Sequence, residues 1–380
     1  MKRSYEFLYL SRWVAAAAVV VYHIRQVIFA PMDHGASAGT FVFYVVTAFG
    51  QEAVVVFFVL SGFLVGGLSL EKRGRGRFDL LDYSSHRFAR IYIVFIPSLA
   101  LTLACDLIGG QLAPSTYAPP LVHDAGYSVA DLIGNIFMLG GVLVPRFGSN
   151  APSWSLVNEW WYYVLFGCAI AALPDRRWSV RAAGVLVAVV VLSVLPISAV
   201  LLGAGWAIGV AVWVYVERRL TAPPLWAAGL ALAVGLAISF LLRRHAGDTL
   251  AWWRYYGANA AVAIGFSALL LAVVARGDVK LPFPKTNKFL ADFSYSIYLI
   301  HYPVTLMVVS ALKAASLLPA RGEPSAAALG CFCLCLAVIY PLGVVFYFCF
   351  ERNTAALRRL AHGLANTAGG YLSARFAPAP

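Results

Sequence analysis

Ten separate stretches of this chain are apolar over the length a helix needs to cross about 30 Å of hydrocarbon: residues 8–30, 43–69, 88–108, 157–173, 182–199, 200–216, 224–242, 255–275, 290–312 and 326–350. No water-soluble core could bury that many. In lipid every backbone N–H and C=O must be satisfied internally, so runs of this length are read as helices. The sequence therefore predicts an all-α polytopic membrane protein with about ten transmembrane helices. Composition agrees: 61% of residues are hydrophobic, 12% are charged and the mean hydropathy is +0.78. The intervals between runs are too short for a separate soluble domain.

An eleventh apolar segment, 129–145, is shorter and contains Gly134, Asn135, Gly140 and Gly141. It fits a re-entrant or interfacial segment better than a crossing. Charge supports that choice. With ten crossings and both termini cytosolic, 22 of the 29 lysines and arginines fall on the cytosolic side, six on the other, and Arg25 inside the first span. An eleventh crossing would reverse the bias. The net charge of +12 is thus a topological signal whose expected partner is membrane lipid, not nucleic acid.

The six cysteines lie within or beside apolar runs. Cys331, Cys333 and Cys335 are each turned by roughly 200° on a helix, so neither a disulfide framework nor a metal site is expected. Ala36-Ser37-Ala38 after a basic start mimics a secretory signal. His23 and Arg25 interrupt its apolar core, however, and the later spans need an inserted first helix. The tail after about residue 362 reads as lacking regular structure, which divides the chain into a membrane domain, 1–352, and a short cytosolic tail, 353–380.

Five segments carry chemistry. Arg12 and His23 are eleven residues apart, so on a helix they share a face and lie about 16 Å apart along the axis. Ala16 and Val19 between them look small enough to let a narrow ligand pass. A histidine at that depth is costly unless it is paired or lines a wet cavity, which leaves a structural and a functional reading open. Arg87 and Arg90 stand one turn apart at the mouth of the third span, a spacing suited to phosphate oxygens or to lipid head groups. Trp154-Ser155-Leu156 followed by Glu159, Trp160 and Tyr163 puts a carboxylate among aromatics at the outer end of the fourth span. Ser294-Tyr295-Ser296-Ile297-Tyr298-Leu299-Ile300-His301 adds a second intramembrane histidine. Pro303 frees a carbonyl one turn earlier, so polar neighbours there could also serve helix repair. Phe57-Phe58-Val59-Leu60-Ser61-Gly62-Phe63 places small residues between aromatics, a pattern that packing alone explains.

Taken together, these segments resemble the acyltransferase 3 family of bacterial membrane acyltransferases, from about Ser11 to Glu351. The arginine, ten residues and histidine of the family's first helix match Arg12 and His23. Its Phe-Phe-x-x-Ser-Gly-Phe matches Phe57 to Phe63, its Arg-x-x-Arg matches Arg87 and Arg90, its Trp-Ser-Leu and Glu match Trp154 to Glu159, and its Ser-Tyr-x-x-Tyr-Leu-x-His matches Ser294 to His301. One departure is visible: many members carry an acid two positions before the Phe-Phe pair, where this chain has Val55, with Glu52 one turn earlier.

The resemblance implies transfer of an acyl group, commonly acetyl, from cytosolic acyl-CoA to a hydroxyl of a surface or secreted glycan. It also implies a bacterial inner-membrane location, acetyl-CoA as donor substrate and no permanently bound cofactor or metal. His23 would act as general base or covalent acyl carrier, Arg12 would orient the donor or stabilise developing negative charge, and Glu159 would sit near the outer acceptor site. Arg87 and Arg90, with Ser61 and Phe58 of the aromatic motif, would hold the donor. Trp154, Trp160, Tyr163, Tyr298 and His301 would face the acceptor, a glycan or lipid-linked glycan, with His301 also able to hold His23 in one tautomer. A different class remains open on the residues alone: a proton-coupled transporter in which His23, Glu159 and His301 form a relay.

Overall fold

The computed structural model describes residues 5–32, 37–244, 252–277, 279–318 and 321–375. They form a helical bundle: α1 (Tyr5–Ile28), α2 (Ala38–Val46), α3 (Gly50–Ser61), α4 (Gly67–Gly74), α5 (Leu80–Leu112), α6 (Val129–Ile136), α7 (Ser153–Ala171), α8 (Trp178–Val194), α9 (Ile197–Glu217), α10 (Leu225–Arg244), α11 (Trp252–Arg276), α12 (Pro284–Asp292), α13 (Ser294–Ala314), α14 (Ala326–Cys349) and α15 (Thr354–Arg375). Eight helical units among the described residues are long and apolar enough to cross a membrane, with Ala38–Gly74 counted as one. The other two expected crossings are also helices. However, α7 carries Ser153, Ser155, Asn158 and Glu159 in its first two turns, and α8 has 17 residues.

Hydrogen bonds fix the alternating course of the chain. At the end where α1 begins, called proximal here, Trp13 Nε1 donates to Asn287 Oδ1 of α12 at 3.1 Å, and the Leu281 N–H donates to Glu6 at 2.7 Å. At the opposite, distal end, Arg321 donates to the carbonyls of Phe29 and Gln26, the last turn of α1, where orphan acceptors remain. The expected crossing 290–312 is divided in two. The Pro-initiated α12 packs against α1, and α13 restarts after Phe293.

The segment foreseen as re-entrant dips into the bundle from the distal end. Its helix α6 begins with a capping box between Ser128 and Asp131, and its tip is tied to α5 and α7. Tyr92 donates to the Ile136 carbonyl at 2.8 Å, and Trp161 Nε1 donates to the Met138 carbonyl at 2.8 Å. Asp106 of α5 holds the returning limb by accepting from the Ser149 N–H, the Ser149 hydroxyl and the Tyr127 hydroxyl. Irregular backbone at this depth is tolerated because protein groups satisfy it.

The tail expected to lack regular structure is instead helical over Thr354–Arg375. Ala, Leu and Arg are strong helix formers, and Arg358 anchors the first turns by donating to Asp82 of α5 at 2.8 Å. Residues 376–380, and Ala36 of the signal-like tripeptide, lie outside the described residues.

Candidate active site

The face shared by Arg12 and His23 survives in α1, but the passage between them does not. Ala16 and Val19 are 3% and 0% exposed, packed into the core, so no ligand can run along that stripe. What α1 delivers is His23 itself, half-buried and set against α13. His23 Nδ1 lies 2.9 Å from His301 Nε2, and the other ring nitrogen of His301, Nδ1, lies 2.7 Å from the Tyr298 carbonyl and 3.3 Å from that of Ile297.

Carbonyl oxygens only accept. In a neutral pair, therefore, His301 carries its proton on Nδ1 and presents a lone pair at Nε2. His23 must then donate from Nδ1, which leaves His23 Nε2 unprotonated. His301 is 0% exposed, so the open nitrogen of the pair belongs to His23. Thr305 and Tyr302 complete the surroundings: the Thr305 hydroxyl donates to the His301 carbonyl, and the Tyr302 ring meets His23 edge-on at 5.2 Å.

The freed carbonyl created by Pro303 is satisfied elsewhere. Asn150, on the returning limb of the re-entrant segment, donates Nδ2 to the Leu299 carbonyl at 2.8 Å. His301 is thus not consumed by helix repair.

A polar stripe on α7 leads from the histidine pair towards the proximal end. Ser155, Glu159 and Tyr163 are spaced by four and share one face. Ser155 Oγ is 2.5 Å from the Tyr298 hydroxyl. One turn on, Tyr163 donates to Glu159 at 2.5 Å, which makes Ser61, 3.0 Å away, the donor to Tyr163, while Trp206 Nε1 donates to Ser61 at 3.2 Å. The chain Trp206, Ser61, Tyr163, Glu159 is therefore directional.

At the proximal end of the stripe stand the arginines. Arg87 lies over the rings of Tyr163 and Tyr83, its Cζ 5.5 and 6.0 Å from the centroids, and its buried Nε has no partner. A cavity of about 520 Å³ opens beside it, walled by Tyr83, Trp160, Tyr163, Gly167 and Gly184. Arg90 is differently placed. Its Nη1 donates to Glu351 Oε1 at 2.7 Å, its guanidinium lies 4.8 Å from the Tyr295 centroid, and Glu351 Oε2 accepts from the Ser296 N–H and hydroxyl. Arg12 is close enough to Arg90, Glu351, Asp292 and Glu159 for their charges to act on it.

Several placements differ from the sequence reading. Glu159 and Tyr163 were expected on the outer, acceptor side, yet Tyr163 sits with Arg87. The cause is the re-entrant segment, which carries the start of α7 into the bundle, so the helix begins at depth. Phe58 is 2% exposed and packed between Trp154 and Tyr162, a core position. Trp160 packs edge-on against Tyr92. Glu52 accepts from Ser239 and from Arg243 Nε at 2.9 Å, and is thus committed to α10. Glu351 and Asn150 were not singled out from sequence, and Ser296 entered only as part of the polar run before His301. The signal for Asn150 was the donor that Pro303 demands.

A family model described as an acyltransferase domain matches residues 5–344. Among curated proteins, the chain is 33% identical over 187 residues to the acyltransferase MdmB of Streptomyces mycarofaciens, a match covering 47% of this chain and 43% of that protein. It is 24% identical over 278 residues to an O-acetyl transferase of Shigella phage Sf6, covering 69% of this chain and 76% of the relative. No solved structure matches the chain.

Proposed function

Because the chain belongs to the acyltransferase 3 family, we propose that it moves an acyl group, acetyl first among the candidates, from acyl-CoA to a hydroxyl of a cell-surface or secreted glycan. The observation that carries this reading is the histidine pair: a buried His301 that accepts from His23 Nδ1 and leaves His23 Nε2 free to take a proton. In the proposed step, His23 Nε2 removes the acceptor hydroxyl proton as the oxygen attacks the thioester carbonyl. The C–O bond forms, the C–S bond breaks, and the proton passes from His23 to the departing thiolate.

The proximal end is assigned to the cytosol of a bacterial inner membrane, in keeping with the 22 basic residues on that side. The donor's phosphates then meet Arg87 and Arg12. Its arm runs from the cavity beside Tyr163 past the half-buried Glu159 towards the histidines. Arg12 and His23 are about 16 Å apart, so Arg12 cannot reach the reacting carbonyl and instead holds the donor's distant end. Ser61 keeps Tyr163 in place along that route. Trp154 and Tyr298 lie near the acceptor.

The test uses purified full-length protein with labelled acetyl-CoA. Wild type releases thiol and transfers label to an acceptor glycan, and His23→Ala does neither while folding normally. Undiminished transfer by His23→Ala would remove the histidine from the reaction.

A further inference from the structure

The distal mouth above the histidine pair is lined by cations. A cavity of about 370 Å³ opens there, walled by Lys313, Arg321, Pro120 and Leu121 among others. One residue separates its wall from the site: the Tyr302 hydroxyl donates to the Leu121 carbonyl at 2.6 Å, and the same ring meets His23 at 5.2 Å. The charges that act on the Tyr302 hydroxyl are those of Arg321 and Arg146, and Arg321 also acts on Lys313 and on Arg25. Two cations, Lys313 and Arg321, thus line one mouth. Glu323 sits with Arg321 and Arg25 beside Tyr44. Among the described residues, however, no carboxylate pairs with Lys313, whose ammonium is bonded to Thr116.

This gathering runs against the insertion bias. Six lysines and arginines are distal by that count, and two of them, Lys313 and Arg321, line this one cavity. Arg321 has a structural duty at the end of α1, and Lys313 Nζ donates to Thr116 Oγ1 at 3.0 Å, a neutral partner that leaves its charge uncompensated. Lys313 shares the cavity wall with a second cation and has no carboxylate partner of its own, so an anion entering the cavity relieves the repulsion between them.

We propose that this mouth binds an anionic group of the acceptor, a carboxylate or phosphate ester, so that the preferred acceptor is an acidic glycan whose hydroxyl is presented to His23. The inference rests on the acyl-transfer reading above. The test uses the purified full-length protein in nanodiscs with acetyl-CoA and two oligosaccharides of equal length, one of neutral hexoses and one containing hexuronate. Wild type should favour the uronate-containing acceptor by about tenfold or more in kcat/KM. Its KM for that acceptor should rise between about 50 and about 300 mM salt, while the neutral acceptor's KM stays level. Lys313→Glu should lower the acidic-to-neutral ratio by about tenfold, and Lys313→Gln, which can keep the bond to Thr116, should lower it less. Equal use of both acceptors by wild type, or an equal fall for both in Lys313→Gln, overturns the proposal. So does a Lys313 effect that follows the anionic-lipid content of the nanodisc with either acceptor, which would make the mouth a head-group site. Failure of the underlying reading looks different: no thiol is released from acetyl-CoA and no acceptor of either kind is acetylated.

Discussion

Asn150 donates its side-chain amide to the carbonyl of Leu299, the acceptor that Pro303 deprives of its helical partner. The bond joins the re-entrant segment to α13 two residues before His301, so the loop sets the height and rotation of the histidine. Asn150→Ala leaves a buried carbonyl without a donor, at a cost of about 1–3 kcal/mol. The expected result is a lowered thermal midpoint in detergent together with reduced transfer. Asn150→Gln, with the same amide one methylene further out, should recover part of both. An Asn150→Ala protein with the wild-type midpoint would show that water or a rearranged helix supplies the donor.

His301 touches His23 and the backbone but is fully enclosed, so in the proposed reaction it would act through the tautomer of its neighbour. Replacing it with Ala frees His23 to protonate on Nε2, the nitrogen to which the proposed step assigns the base. The expected effect is a fall in kcat on the order of 10²-fold or more, with the donor KM nearly unchanged. His301→Gln, whose amide oxygen can accept from His23 Nδ1, should restore part of the rate. A pH profile of kcat separates this from simple loss of packing: the ascending limb should move in His301→Ala. An unmoved profile with a proportional loss of folded protein would make His301 a structural residue.

Much of this arrangement is legible in the sequence because helical periodicity is local. Arg12 and His23 share a face because eleven residues nearly complete three turns, and the Gly-containing segment 129–145 is too short and too polar to cross. What sequence could not supply are partners chosen by packing. His23 and His301 are 278 residues apart in the chain, and Asn150 and Leu299 are 149 apart. Glu159 reads as an outer-surface residue only if α7 starts at the membrane surface. The re-entrant segment delivers that start to the interior, which moves Tyr163 to Arg87. Glu351 reads as an ordinary helix-end acid until the fold brings Arg90 and Ser296 to it.

Arg87 and Arg90 look equivalent in sequence and are not equivalent in space. Arg90 is bound to Glu351, whose side chain is 2% exposed, whereas Arg87 has aromatic faces and a cavity beside it. Arg87→Ala should raise the donor KM severalfold and leave the amount of inserted protein unchanged. Arg90→Ala should instead leave a buried carboxylate unpaired. Breaking a fully buried pair costs roughly 3–5 kcal/mol, and because Arg90 is a third exposed the lower end applies. Arg90→Met combined with Glu351→Gln should recover most of that stability. Measuring donor binding and thermal midpoint on the same preparations distinguishes the two arginines, and identical behaviour in both assays would contradict the assignment.

Ser61 and Gly62 have separate physical tasks. Ser61 accepts from Trp206 Nε1 and donates to Tyr163, so its hydroxyl proton is committed to the relay. Gly62 opens a π-helical turn over Gly62–Gly66, and a Cβ at this position would fall on the Trp206 carbonyl of α9. Backbone meets backbone there, and neither can rotate away as a side chain would. Gly62→Ala must push α9 outward, at a cost of about 1–3 kcal/mol, and with α9 goes the Trp206 donor that anchors the Tyr163 and Glu159 relay. Ser61→Ala keeps the helix contact and removes only the hydroxyl. The expected outcome is a lower thermal midpoint and reduced transfer in Gly62→Ala, against a smaller fall in midpoint with a higher donor KM in Ser61→Ala, where the Trp206 N–H loses its acceptor. Equal midpoints in the two variants would mean that α9 yields without cost and that the close approach is not what requires glycine.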